Sequence, residues 1–81
     1  MVRKVNNVNY LTRVEAIDYL IFAYNLKWCM TRWINQKIAI SFVDSSSQRN
    51  MIKVSAFFLK DTNNAYMTQQ ELDLEMLKII R

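Results

Sequence analysis

The chain contains no glycine, no proline and no histidine, and only one cysteine. At average usage of roughly 7% Gly and about 5% Pro, both missing together is unusual, and each absence closes off chemistry. Without glycine there is no phosphate-cradling loop and no dinucleotide fingerprint, because both need backbone positions that only glycine tolerates. Without histidine the commonest general base near neutral pH is missing, and with it the Ser–His and Cys–His nucleophile pairs and the commonest metal ligand. Cys29 cannot form an internal disulfide and has no histidine with which to build a zinc site, so it reads as a packed or interfacial thiol in a reducing compartment. No metal and no cofactor is expected.

Long apolar runs are also missing. The longest spans residues 19–24, between Asp18 and Asn25, far short of the roughly 20 residues of a membrane-spanning helix. The basic start Arg3–Lys4 suggests a leader, but Asp18 interrupts the apolar stretch that follows and no small-residue cleavage site succeeds it. The sequence therefore reads as a soluble, unprocessed cytoplasmic protein without a membrane partner. Frequent Asn, Ile and Lys, whose codons are rich in adenine and thymine, point to an AT-rich genome such as that of many phages, and hence to a bacterial host cytoplasm.

What remains is 81 residues that are 52% hydrophobic and 12% aromatic with a formal net charge of +4, a composition well inside the globular class. A single domain over residues 1–81 is expected, with a thin core, since a chain of this size buries a smaller share of its surface than a larger one. Residues 1–11 carry Arg3 and Lys4 among asparagines without a clean period and read as a basic arm or an edge strand.

Thr12 with Glu15 is a capping box and starts a helix. The apolar positions that follow nearly encircle it, leaving only Asp18, Asn25 and Arg32 as a polar seam. A helix apolar all round needs more cover than so small a domain supplies. Either it runs to about Gln36 and its surplus apolar surface is an interface, or it stops near Asn25 and residues 26–33 form an extra strand; the longer helix is the expectation.

Ile38, Ile40 and Phe42, and then Ile52, Val54, Ala56 and Phe58, alternate with their neighbours in the two-residue period of half-buried strands. Residues 44–50 between them predict an antiparallel hairpin with a mobile polar tip. Thr68 with Glu71 is a second capping box, with Met67 and Leu72 placed as a hydrophobic staple. In the last helix Leu72, Met76, Leu77, Ile79 and Ile80 are expected to form the apolar face. The predicted fold is α+β: a small single-layer antiparallel sheet of two strands, or three, packed with a long N-terminal and a short C-terminal helix, in the order α-β-β-α or α-β-β-β-α.

No catalytic constellation emerges. Glu71, Asp73 and Glu75 point about 200° apart on a helix and cannot converge. Residues 1–60 hold nine Lys or Arg against three Asp or Glu, and residues 61–81 two against four, so the charge is polarised along the chain. Trp and Arg concentrate in the energetic centres of protein interfaces, which makes Trp28, Arg32, Trp33, Gln48 and Arg49 candidate partner-binding residues. The leading expectation is a non-enzymatic binding protein, of phage or mobile-element type, that inhibits or modulates a host or defence protein or nucleoprotein complex. A second reading is a basic nucleic-acid-binding regulator using Arg3, Lys4, Arg13, Lys27, Lys37, Arg49, Lys53 and Lys60. A third is a homodimer whose helix pair forms an obligate core.

Overall fold

Hydrophobic pattern and turn chemistry together build a small α+β protein with two helices and two antiparallel sheets, seen in a computed structural model that describes residues 3–59 and 64–79. In chain order the elements are β1 (Arg3–Val5), β2 (Val8–Thr12), α1 (Arg13–Tyr24), β3 (Trp28–Ile34), β4 (Lys37–Val43), β5 (Arg49–Val54), β6 (Phe57–Leu59), β7 (Asn64–Met67) and α2 (Gln69–Ile79). One sheet has the order β1-β2-β7-β6 and the other β3-β4-β5. The expected single sheet is therefore two. The apolar run from Ile52 to Phe58 breaks at Ser55 and Ala56, where the chain leaves one sheet as β5 and enters the other as β6.

The first capping box forms in full, and at the second Thr68 caps the helix while its hydroxyl, not its backbone N–H, reaches Glu71. The Thr12 hydroxyl accepts the Glu15 N–H at 3.2 Å while the Thr12 N–H donates to the Glu15 carboxylate at 3.0 Å. At α2 the Thr68 hydroxyl accepts the Glu71 N–H and itself donates to the Glu71 carboxylate, each at 3.1 Å. Met67 and Leu72 are both fully buried beside it, as a staple requires.

The expectation that α1 runs to Gln36 is wrong. Asn25 takes a left-handed conformation (φ 53°), its N–H donates to the Ile21 carbonyl, and the Leu26 N–H reaches the same carbonyl at 3.1 Å, a closure that ends a helix. Residues 28–34 then pair with β4 without interruption, from Trp28↔Val43 to Ile34↔Lys37. The extra-strand reading of residues 26–33 holds.

With no glycine, the tight turns fall to other residues. Asn6–Asn7 joins β1 to β2 and Asn35–Gln36 joins β3 to β4, all four with φ between 50° and 65°, the pattern of two-residue type I′ hairpins. Residues 3–12 are thus a hairpin, of which the expected edge strand is β1. The tip between β4 and β5 is closed by Asp44, whose carboxylate accepts the Ser46 N–H at 3.0 Å, the Ser46 hydroxyl, the Gln48 N–H at 3.2 Å and the Asn50 amide at 3.2 Å. The tip residues 45–49 are all exposed, and these bonds hold the Asp44 carboxyl below its ordinary pKa.

The core joins Ala16 and Leu20 of α1, Leu72 and Met76 of α2, Leu11, Ala65 and Met67 of one sheet, and Cys29, Ile38, Ile40, Phe42, Ile52 and Val54 of the other. Each fully buried Leu, Ile or Phe contributes about 1.5–3 kcal/mol. The apolar face expected on α2 is narrower than its sequence suggests. Leu77 is 61% exposed and Ile79 is also exposed, because only the Leu72–Met76 line meets the core; Ile80 lies outside the described residues.

One polar joint couples the helices. The Tyr19 and Tyr24 hydroxyls both donate to the same oxygen of Asp73, at 2.6 and 2.8 Å. Burial and the Asp73 carboxylate push Tyr24 up to about 12, and the hydrogen bond to Asp73, with burial, raises Tyr19.

Two outcomes follow. Gln36→Gly should stabilise the protein by about 1 kcal/mol, since a side chain at a left-handed position costs about that much, and should raise the melting temperature by roughly 4–8 °C. Because the Tyr24 pKa is raised on folding, its stabilisation is complete below about pH 10 and lost as pH rises through about 12. Tyr24→Phe should therefore cost about 1–2 kcal/mol at neutral pH, and chemical denaturation should show its deficit against the unsubstituted protein closing above about pH 10, the unperturbed tyrosine value.

Candidate interaction face

The pleat of β3-β4-β5 sorts alternate residues onto two faces. Inward go Cys29, Thr31 and Trp33, then Ile38, Ile40 and Phe42, then Asn50, Ile52 and Val54. Outward go Trp28, Met30, Arg32 and Ile34, then Lys37, Ala39, Ser41 and Val43, then Arg49, Met51 and Lys53. The registers set these in rows across the sheet: Trp28–Val43–Arg49, Met30–Ser41–Met51 and Arg32–Ala39–Lys53.

Among the described residues no helix or strand covers the outer face. Trp28, Met30 and Met51 are each 43–46% exposed, and with Arg32, Ser41 and Arg49 they line an open hollow of about 330 Å³. Ala39 is fully buried on this face although only basic residues flank it, which fits the aliphatic stems of Arg32 and Lys53 lying across it. The outward positions comprise four cations and no anion. Lys37 and Lys53 also line a hollow with Glu71 and Glu75 of α2, and Asp44 is occupied within its own turn.

The structure thus brings together three of the five candidate partner-binding residues, Trp28, Arg32 and Arg49. Gln48 is exposed in the adjoining turn. Trp33 goes elsewhere: odd-numbered in β3, it falls on the inner face, where its ring meets Phe58 edge-on at 5.9 Å and ties one sheet to the other. Of the basic residues proposed for nucleic acid, Lys37, Arg49 and Lys53 share the outer face. Lys27 precedes β3 and donates to the Ser47 hydroxyl at 3.1 Å. Arg13 opens α1 and is exposed, Arg3 and exposed Lys4 belong to β1, and Lys60 lies outside the described residues. The described ones are spread over β1, the start of α1, the approach to β3 and the outer face of β3-β4-β5.

Met30 and Met51 were missed in the sequence. Their signal was the alternation Trp28–Met30–Arg32 and Arg49–Met51–Lys53, legible only once residues 28–34 are known to be a strand.

Elsewhere the chemistry is quiet. Burial pushes the Cys29 thiol up to about 11, which keeps it protonated and a poor nucleophile at neutral pH. Glu71, Asp73 and Glu75 each hold a separate partner, Thr68, the tyrosine pair and Lys78. Among the described residues no three His, Cys, Asp or Glu gather as metal ligands would, and no helix is long and apolar enough to cross a membrane. No family model, no curated protein and no solved structure matches the chain.

Because Trp33 touches Phe58 and Trp28 does not, a double-mutant cycle on Trp33→Ala and Phe58→Ala should return a coupling of about 1 kcal/mol. The same cycle with Trp28→Ala should return none.

Proposed function

We propose that the protein is a non-enzymatic binding protein whose outer β3-β4-β5 face docks on an acidic surface of another protein. One observation carries this reading: a sheet face that leaves Trp28, Met30 and Met51 exposed in two neighbouring rows, with Arg49 in the Trp28 row and Arg32, Lys53 and Lys37 in the rows beyond Met30. Aromatic residues, methionine and arginine are the types enriched where protein interfaces concentrate their energy. Cations on such a face steer an oppositely charged partner and resist like-charged competitors.

A protein partner suits this face better than a nucleic acid does. Single strands are held by several aromatic rings on which successive bases stack, and here Trp28 is the one aromatic among the outward positions, since Trp33 is turned inward. Methionine offers an adaptable apolar contact but no stacking plane. The small size, the residue usage of an AT-rich genome and the lack of catalytic equipment fit an accessory protein of a phage or mobile element that inhibits or modulates a host or defence complex in the cytoplasm.

The test is co-purification of the tagged chain from nuclease-treated extract of its host, comparing Trp28→Ala and Arg32→Glu with Phe22→Ala, which alters an 84% exposed residue of α1. The first two should each weaken capture by at least tenfold, corresponding to about 1.4 kcal/mol, and Phe22→Ala should leave it unchanged. Equal capture by all three variants would show that the partner binds elsewhere. Loss of capture on nuclease treatment, with steeply salt-dependent binding of labelled DNA or RNA, would favour the nucleic-acid reading.

A further inference from the structure

The edges of the two sheets are not alike. β1 and β6 are three residues long, too short to template much pairing. β5 carries two cations, Arg49 and Lys53; each long edge strand also meets a helix, β5 meeting α2 and β3 meeting α1. β3 is seven residues long, contains a single charged residue, and runs without a bulge or an edge lysine. Those are the devices by which sheet edges are usually blunted.

The hairpin geometry shows which backbone groups β3 leaves open. Ile34 and Lys37 flank the two-residue turn and so exchange hydrogen bonds, and the bonded pairs then alternate along the ladder as Arg32↔Ala39, Met30↔Ser41 and Trp28↔Val43. The N–H and C=O groups of Cys29, Thr31 and Trp33 therefore point away from β4. Among the described residues no other strand lies along that edge.

We propose that two copies of this chain pair antiparallel along β3, about a two-fold axis at Met30, to form a continuous six-stranded sheet. The register follows from self-complementarity. Trp28 and Arg32 lie on the same face, each two residues from Met30, so a two-fold axis at Met30 sets each Trp28 directly opposite the second copy's Arg32, a cation over an indole ring. The same register sets Cys29 opposite the second copy's Thr31, matching the outward-pointing backbone groups as bonded pairs. An axis at Arg32 would oppose like charges, and an axis at Thr31 would set Arg32 against Met30 and Trp28 against Ile34. Stacking two outer faces on each other is disfavoured because it would bring their eight outward cations together. Edge pairing leaves those faces open, side by side, with the row Met51–Ser41–Met30 continued across the axis into the second copy.

This differs from a dimer built on a pair of helices, and it is tested on the free protein alone, so its outcome is separate from that of the proposed function. Sedimentation velocity over about a hundredfold concentration range should show a reversible rise from monomer to dimer, as mass action requires. Trp28→Arg should shift the equilibrium to monomer at every concentration in that range. The swap Trp28→Arg/Arg32→Trp should restore the dimer, since it exchanges the two partners of each cross-strand pair. In a cysteine-free background, Cys29→Ser/Met30→Cys should form a covalent dimer on oxidation, because directly opposed residues of a non-bonded pair lie about 4.5 Å apart between Cα atoms, within disulfide reach. Cys29→Ser/Met51→Cys, exposed on the same face but remote from the axis, should not. A single sedimenting monomer throughout the range, or cross-linking through residue 51 as complete as through residue 30, would overturn the proposal; circular dichroism confirms that each variant is folded.

Discussion

At Asn25 the backbone enters the left-handed region, and the Ile21 carbonyl is closed off by the N–H groups of Asn25 and Leu26. The rest of the structure depends on that stop. A helix continuing through residues 26–33 would turn its side chains through 100° per residue and spread Trp28, Met30, Arg32 and Trp33 around its circumference. The reversal at Asn25 lets the same residues enter an extended strand, and a period of two replaces a period of 3.6. Trp33 then lies on the inner side against Phe58, though still 44% exposed, while Trp28, with a methionine and an arginine, is left on the outer face.

The absence of glycine gives this stop a wider setting. Among the described residues six take positive φ, and four of them are asparagine, the others Gln36 and Ser47. Asparagine tolerates the left-handed region better than other side chains, because its short amide bonds locally. Each such position costs folding free energy that glycine would not, and the core available to offset it is small. The joint between Tyr19, Tyr24 and Asp73 acts where apolar cover is incomplete, since it holds α1 to α2 through hydrogen bonds to a charged group, which are stronger than neutral ones.

The two faces of β3-β4-β5 divide the work. Inward residues build the core, and Trp33 against Phe58 joins this sheet to the other. Outward residues contribute little to the core and include four cations and no anion, with Glu71 and Glu75 of α2 bordering Lys37 and Lys53. Exposed apolar side chains beside four cations are costly to leave in water unless something docks there, and that imbalance underlies the functional reading.

Some of this was decided by the sequence alone. The capping boxes at Thr12 and Thr68, the Met67–Leu72 staple and the alternation of β4 and of β5 are local patterns, in which the residues that must interact lie within a few positions of one another. The missing glycine and histidine likewise narrow the chemistry before any fold is known. The fate of residues 26–33 was not legible, because a stretch apolar on nearly every side satisfies both periods, and only the presence of β4 beside it made the strand the better way to satisfy its backbone. The split into two sheets at Ser55 and Ala56 was hidden for the same reason: Ile52 to Phe58 alternates without a break, and the change of partner from β4 to β7 is a non-local choice. Which tryptophan faces outward followed from that strand's register, so the candidate face, unlike the caps, belongs to the tertiary structure.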